Sequence, residues 1–275
     1  MMLDDRAHFG FYLTQLLSKG QVYFSAAQAQ DALGISKGAL LKAAEKQQKR
    51  GNLISPRRGF YVIVPPEYRA MGALEPPWYI DALMAHTGQP YYVGLLKAAE
   101  LHGAAHQAVM EFQVMTDKQL PKIRAGRSSI VFYYRKDLRA VEQGLQQHKT
   151  KTGTMKISGP ELTALDLVRY PHAAGGLHHI ATVFSDLGFR IDAEKLAVLS
   201  GAFERSIGQR LGFLLEVSGH GEKADALYAR LADGPPLPWV ELEPSLAADP
   251  DFAPLVVERS ERWHVIGRST PEKDT

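Results

Sequence analysis

The chain of 275 residues contains no cysteine, which excludes a disulfide framework, a thiolate metal site and thiol redox chemistry. It has no uninterrupted apolar run of the roughly 18 residues that a membrane-crossing helix needs. Its first residues, MMLDDRAHFGFYLTQLL, lack the basic start and continuous apolar stretch of a signal peptide. The expectation is a soluble, cytoplasmic protein. A strong excess of one charge is also missing, since 32 Lys+Arg stand against 30 Asp+Glu. No glycine-rich phosphate loop follows a strand, no serine elbow is present, and there is neither an internal repeat nor a low-complexity tract. These absences argue against an enzyme and give no reason to expect a cofactor or a metal.

The near-neutral total hides an uneven distribution. Residues 1 to 64 hold nine Lys+Arg and four Asp+Glu, a net of +5, which leaves −3 on the remainder. The basic charge coincides with the most definite local pattern. Residues 25 to 64 read as helix, tight turn, helix, strand, basic tip and strand, the order of a winged helix-turn-helix. Ser25 is a good N-cap for a helix over Ala26 to Leu33, which Gly34 ends by taking the left-handed conformation. Ser36 caps the next helix. At 100° per residue, Leu40, Leu41, Ala44 and Gln48 fall on one side of it, and Lys42, Lys46 and Lys49 on the other. Leu53 to Ser55 form a strand, Pro56 to Gly59 a turn carrying Arg57 and Arg58, and Phe60 to Val64 a β-branched and aromatic return. In such a module the second helix enters the major groove and the hairpin tip lies over a neighbouring backbone. A lysine stripe is also what a merely solvated helix face presents, and a winged helix can serve as a protein-docking module instead.

The rest of the chain is organised as a second, larger domain. A helix over 5 to 19, ended by Gly20, completes the winged domain at 1–70. The proline-rich PPEYRAMGALEPP (65 to 77) reads as an ordered connector. Trp78 to His86 and Tyr92 to Leu101 read as two helices. From Glu111 the period turns strand-like, with EFQVMTD and SSIVFYYRK separated by the basic KIRAGR. Gln146 to Ser158 add strands around a turn at Thr152 to Thr154. Helices then follow through GPELTALDLVRY, GGLHHIATVFSDLG, DAEKLAVLSGAF, ERSIGQRLGFLLEVSG and GEKADALYARLAD. Two late strands, PWVELE and RWHVIGR, would return to the sheet. Strands and helices in separate runs make the domain at 78–270 α+β.

Chemistry-bearing constellations are sparse. His102 and His106 have the four-residue spacing of paired metal ligands, but no glutamate lies between them and no third ligand is evident. His178 and His179 point apart on a helix. Glu161 and Asp166 lie about 140° apart around a helix and do not converge; Glu161 fits better as a negative charge at the helix start. No acidic triplet with the spacing of a metal-dependent nuclease is present. Lys122, Arg124, Arg127 and Arg135, interleaved with Phe132, Tyr133 and Tyr134, form a second candidate surface for nucleic acid or a partner; the alternative is aromatics facing a core with solvated basic side chains. Arg210, set among apolar residues in QRLGFLLE, reads as a buried, paired arginine or an interface anchor.

With these residues in view the chain resembles the AbiEi-type antitoxins of bacterial type IV toxin-antitoxin systems. The resemblance rests on RRGFYVIVPPEY at the end of the winged helix, PYYVGLLKAAELHGAAHQ, ISGPELTALDLVRYP followed by GGLHHIATVF, and QRLGFLLE, in that order and spacing. It implies an N-terminal domain that represses its own operon by binding inverted repeats in the promoter, and a C-terminal domain with the antitoxin activity in abortive infection against phage. The partner it implies is a nucleotidyltransferase-like toxin, opposed without a stable complex. By position, DNA contact falls to Ser36, Lys37, Lys42 and Lys46 of the second helix, with Lys49 on the same basic face, and to Arg57 and Arg58 of the wing. The rival reading is a module that does not bind DNA and whose C-terminal domain takes an RNA or a protein through the KIRAGR region.

Overall fold

A computed structural model describes residues 5–105, 109–247, 256 and 258–268. They pack as two compact units, one of residues 1–92, 110–136 and 147–156, the other of residues 93–109, 137–146 and 157–275. The 65–77 connector lies wholly inside the first unit. Strands expected in the second domain pack in the same unit as the N-terminal helices.

The first unit begins with helices α1 (Asp5–Ser18), α2 (Ala26–Leu33) and α3 (Lys37–Lys49), and strands β1 (Tyr23–Ser25), β2 (Leu53–Arg57) and β3 (Phe60–Ile63). The strands form a small antiparallel sheet in the order β1-β3-β2. Local sequence sets the helix ends. The Ser25 hydroxyl accepts from Gln28 N at 3.1 Å while the Gln28 side chain accepts from Ser25 N at 2.8 Å, a closed capping box. Gly34 ends α2 at φ +63°, in the left-handed region. Phe9, Leu13, Phe24, Leu40, Ala44, Leu53 and Ile63 share one apolar core, with Phe24 packed edge-on against Tyr12 and face-on against Tyr61.

The connector folds into two short 3₁₀ segments, Pro66–Met71 and Pro76–Trp78, followed by α4 (Ile80–Thr87). Further strands are β4 (Tyr91–Val93), β5 (Glu111–Thr116), β6 (Ile123–Ala125), β7 (Ser128–Tyr134), β8 (Leu145–Thr150) and β9 (Gly153–Ser158). They form a six-stranded sheet in the order β6-β7-β5-β4-β9-β8, with β5 and β7 parallel and β6 and β7 antiparallel. Tyr92, expected to open a helix, lies in β4. Its neighbours Tyr91 and Val93 are, like it, bulky residues buried on both faces, which favours a strand over a helix. Tyr91 is tied down by a 2.9 Å hydrogen bond to Asp81, and its hydroxyl pKa is pushed well above the usual value by burial and by that carboxylate.

The second unit holds helices α5 (Leu95–Leu101), α6 (Pro160–Arg169), α7 (Leu177–Leu187), α8 (Ala193–Ser200), α9 (Arg205–Val217) and α10 (Gly221–Ala232). Helix α6 is buried from Pro160 through Val168, and α5, α7, α8 and α9 pack around it. Strands β10 (Val240–Glu241), β11 (Glu258–Ser260) and β12 (Val265–Gly267) make a separate three-stranded sheet, ordered β10-β12-β11. The late strands thus do not return to the larger sheet. Trp263, fully buried beside them, explains Gly212 of α9: a Cβ there would lie 2.2 Å from the indole ring.

Candidate nucleic-acid interface

Helix α3 is positioned by its N-cap and its inner face. Ser36 accepts a 3.3 Å hydrogen bond from Ala39 N, which fixes the first turn, and Leu40 and Ala44 anchor the inner face. The inner stripe is Leu40, Ala43, Ala44 and Gln47, rotated from the expected one. Leu41 is 52% exposed and Gln48 is exposed, so both belong to the solvent side. Lys37, Lys42 and Lys49 are exposed there and Lys46 is half-buried. Sequence reasoning passed over Glu45, which stands on this same face. Its carboxylate lies 2.7 Å from Lys49 Nζ, and that contact holds its pKa below the usual carboxylate range. The i,i+4 spacing of Glu45 and Lys49 was the available signal.

The two wing arginines differ. Arg58 is exposed, and its carbonyl accepts a 3.1 Å hydrogen bond from His86 Nε2. Arg57 is half-buried. Its Nη2 donates to the Pro121 carbonyl at 2.7 Å, its guanidinium lies 5.5 Å from the Phe132 ring centre, and burial lowers its pKa. The side chain is therefore already engaged inside the first unit, where β2 and β6 run alongside one another.

The KIRAGR segment forms β6 and its turn into β7. Arg124 projects outward between buried Ile123 and Ala125, and Arg127 is exposed. Lys122 is committed to Glu111 at 2.6 Å. Gly126 has φ +57°, and a Cβ there would sit 2.3 Å from the Met71 carbonyl, while Arg127 N donates to that carbonyl at 3.2 Å. The basic turn is thus fixed against the connector. Arg135 has to be corrected: it is 3% exposed and presents no surface. Of the four expected positions, Arg124 and Arg127 carry exposed charge with no ion-pair partner among the described residues, and both belong to the unit that holds the wing.

In the second unit His102 and Glu161 are held in structural contacts. His102 Nε2 donates to the Ser158 carbonyl at 2.8 Å, and His106 lies outside the described residues. Among the described residues no three His, Cys, Asp or Glu side chains are grouped to hold a metal, and no helix is long and apolar enough to cross a membrane. Glu161 stands in the first turn of α6, as expected, but is buried, and it accepts from Asp192 N at 2.9 Å just where α8 begins. Asp166 is fully buried. Arg210 is half-buried, and its described partner is a backbone carbonyl, not a carboxylate: Nε donates to Glu241 O at 2.9 Å.

Residues 92–217 match the family described as the AbiEi antitoxin C-terminal domain. No curated protein matches the chain. Among solved structures the chain is similar to the RV2827C protein from Mycobacterium tuberculosis, at 16% identity and a TM-score of 0.67, over 93% of this chain and 89% of that one. At that identity the likeness is one of fold.

Proposed function

We propose that the chain is an antitoxin of a toxin-antitoxin system, a reading supported by the match of residues 92–217 to the AbiEi antitoxin C-terminal domain, and that its first three helices and small sheet are a winged helix-turn-helix that binds duplex DNA and represses the chain's own operon. The observation that carries this reading is the outer face of α3, where Lys37, Lys42 and Lys49 are exposed on a helix fixed by the Ser36 cap and the Leu40/Ala44 core. Lys37, with Ser36, sits at the helix start, where phosphate contacts set the approach, and Lys42 and Lys46 reach further along the groove. Arg58 holds the wing on the backbone. Arg57 acts more through the wing's shape, because its hydrogen bond to Pro121 and its place over Phe132 already use its fork. One such module reads one half-site, so an inverted repeat takes two copies. The counterpart is a nucleotidyltransferase-like toxin, opposed without a stable complex.

A docking-module reading draws on two features of the same face, exposed Leu41 and the Glu45–Lys49 pair, which dilute its positive charge. The two readings separate in cells. A reporter behind the chain's own promoter is expected to be repressed by the wild type and released by Lys42→Ala with Lys46→Ala, while the same variant still rescues growth against the co-expressed toxin. A reporter that never responds to the wild type leaves the docking module as the better account.

A further inference from the structure

We propose that a cavity of about 250 Å³ in the second unit binds a small phosphorylated ligand, with Arg210 and Arg169 holding the phosphate. The cavity opens between the end of α6, the N-terminal half of α9 and the chain after β10. Val168, Ile207 and Leu242 give it apolar walls, and Arg169, His172 and Arg210 bring the basic groups. Its size lies near the lower end for small-molecule sites, which fits a phosphate with a compact organic body and not a polymer.

Arg210 is the residue that packing leaves unexplained. Its Nε clips α9 to the Glu241 carbonyl, but neither terminal amino group has a partner among the described residues. The adjacent carboxylate is unavailable, because Glu241 is gripped by Arg268 through Nε at 3.0 Å and Nη2 at 2.7 Å. Burial lowers the Arg210 pKa, and no ion pair to Arg210 forms among the described residues. A half-buried cation without a counter-charge is unfavourable unless something supplies one. Arg169 is held in place by Glu204 at 3.1 Å and lies against the Tyr170 and Phe203 rings, so its orientation is set before any ligand arrives. Two planar guanidiniums facing one cavity suit the several oxygens of a phosphate better than a single carboxylate. Glu243 is the carboxylate in the lining, and it favours a ligand whose charge is confined to the arginine side.

The test is calorimetric titration of the full-length protein with inorganic phosphate and with ribose 5-phosphate, ionic strength held constant with chloride. Wild type is expected to bind ribose 5-phosphate saturably and more tightly than inorganic phosphate, and Arg210→Gln to weaken it by about tenfold or more, the scale of one charged hydrogen bond. Arg259→Gln, which removes an exposed charge on β11 outside the cavity, is expected to change nothing. Equal weakening by Arg259→Gln, unchanged affinity in Arg210→Gln, or no saturable heat in wild type would each overturn the proposal. Tighter binding of inorganic phosphate than of ribose 5-phosphate would overturn the organic part of the assignment. If Arg210→Gln fails to fold by circular dichroism, Arg169→Gln takes its place with the same expected loss.

Discussion

Helices α3 and α6 are of similar length and both carry charged residues, yet they treat those charges in opposite ways. In α3 only Leu40 and Ala44 are fully buried, and Lys37, Lys42 and Lys49 stand in solvent around that narrow stripe. In α6 every residue from Pro160 to Val168 is buried, Glu161 and Asp166 included. A charge kept in water is available to a partner, whereas a charge taken into the core is committed to fixing the chain, as Glu161 is by accepting from Asp192 N. The contrast teaches where each kind of function can reside. The basic face of α3 is left open to solvent, and α6 is the post around which the helices of the second unit are assembled.

The strongest way to sharpen that contrast is to open a cavity beside α6. Leu165→Ala, at a fully buried position, is expected to destabilise the protein by about 2–5 kcal/mol in urea unfolding. Gly212→Ala should follow at about 1–3 kcal/mol, since the new methyl group would run into the ring of buried Trp263; an unchanged midpoint would mean that α9 can shift freely against the small sheet.

On the α3 side the expected effects appear in binding and not in stability. Lys42→Ala with Lys46→Ala should leave the unfolding midpoint in place and lower the slope of log affinity against log salt by about 1.8, roughly 0.9 for each phosphate no longer neutralised. Arg57→Ala is the mixed case. It should cost about 1–2 kcal/mol in unfolding, because it removes the hydrogen bond to Pro121 and the packing over Phe132, and leave that salt slope nearly unchanged. The smallest effect is expected from Glu45→Gln, which removes the negative charge among the lysines: fluorescence anisotropy should read tighter DNA binding at low salt, and the gain should fade as salt screens it.

Much of the fold was legible because local chemistry and packing agreed. Ser25, Gly34 and Ser36 set the helix ends where caps belong, whereas the wing turn is tighter than the expected Pro56–Gly59: β2 runs on through Pro56 to Arg57, and the turn is Arg58 and Gly59. The helices from Pro160 to Ala232 follow their apolar periodicity. Long-range pairing was not legible. Nothing in PWVELE or RWHVIGR tells that these strands pair with each other around Trp263 and not with the larger sheet. The Tyr91–Val93 run has no period to separate strand from helix. Site residues divide in the same way. The exposure of Lys42 and Lys49 follows from the helix wheel, whereas the capture of Arg57 by Pro121, 64 positions away, and the burial of Arg135 depend on neighbours that sequence spacing does not reveal. Arg210 stands out in the sequence as a cation among apolar residues, but that it has no ion-pair partner among the described residues becomes visible only once Arg268 is seen to bond the Glu241 carboxylate.

The most direct test of the account is binding of the full-length chain to the duplex upstream of its own gene, beside a scrambled duplex of equal length, across a salt series. Preference for the upstream duplex in the wild type, abolished together with most of the affinity in Lys42→Ala with Lys46→Ala, is the predicted result. Equal and weak binding of both duplexes, unaltered by the double substitution, would contradict it.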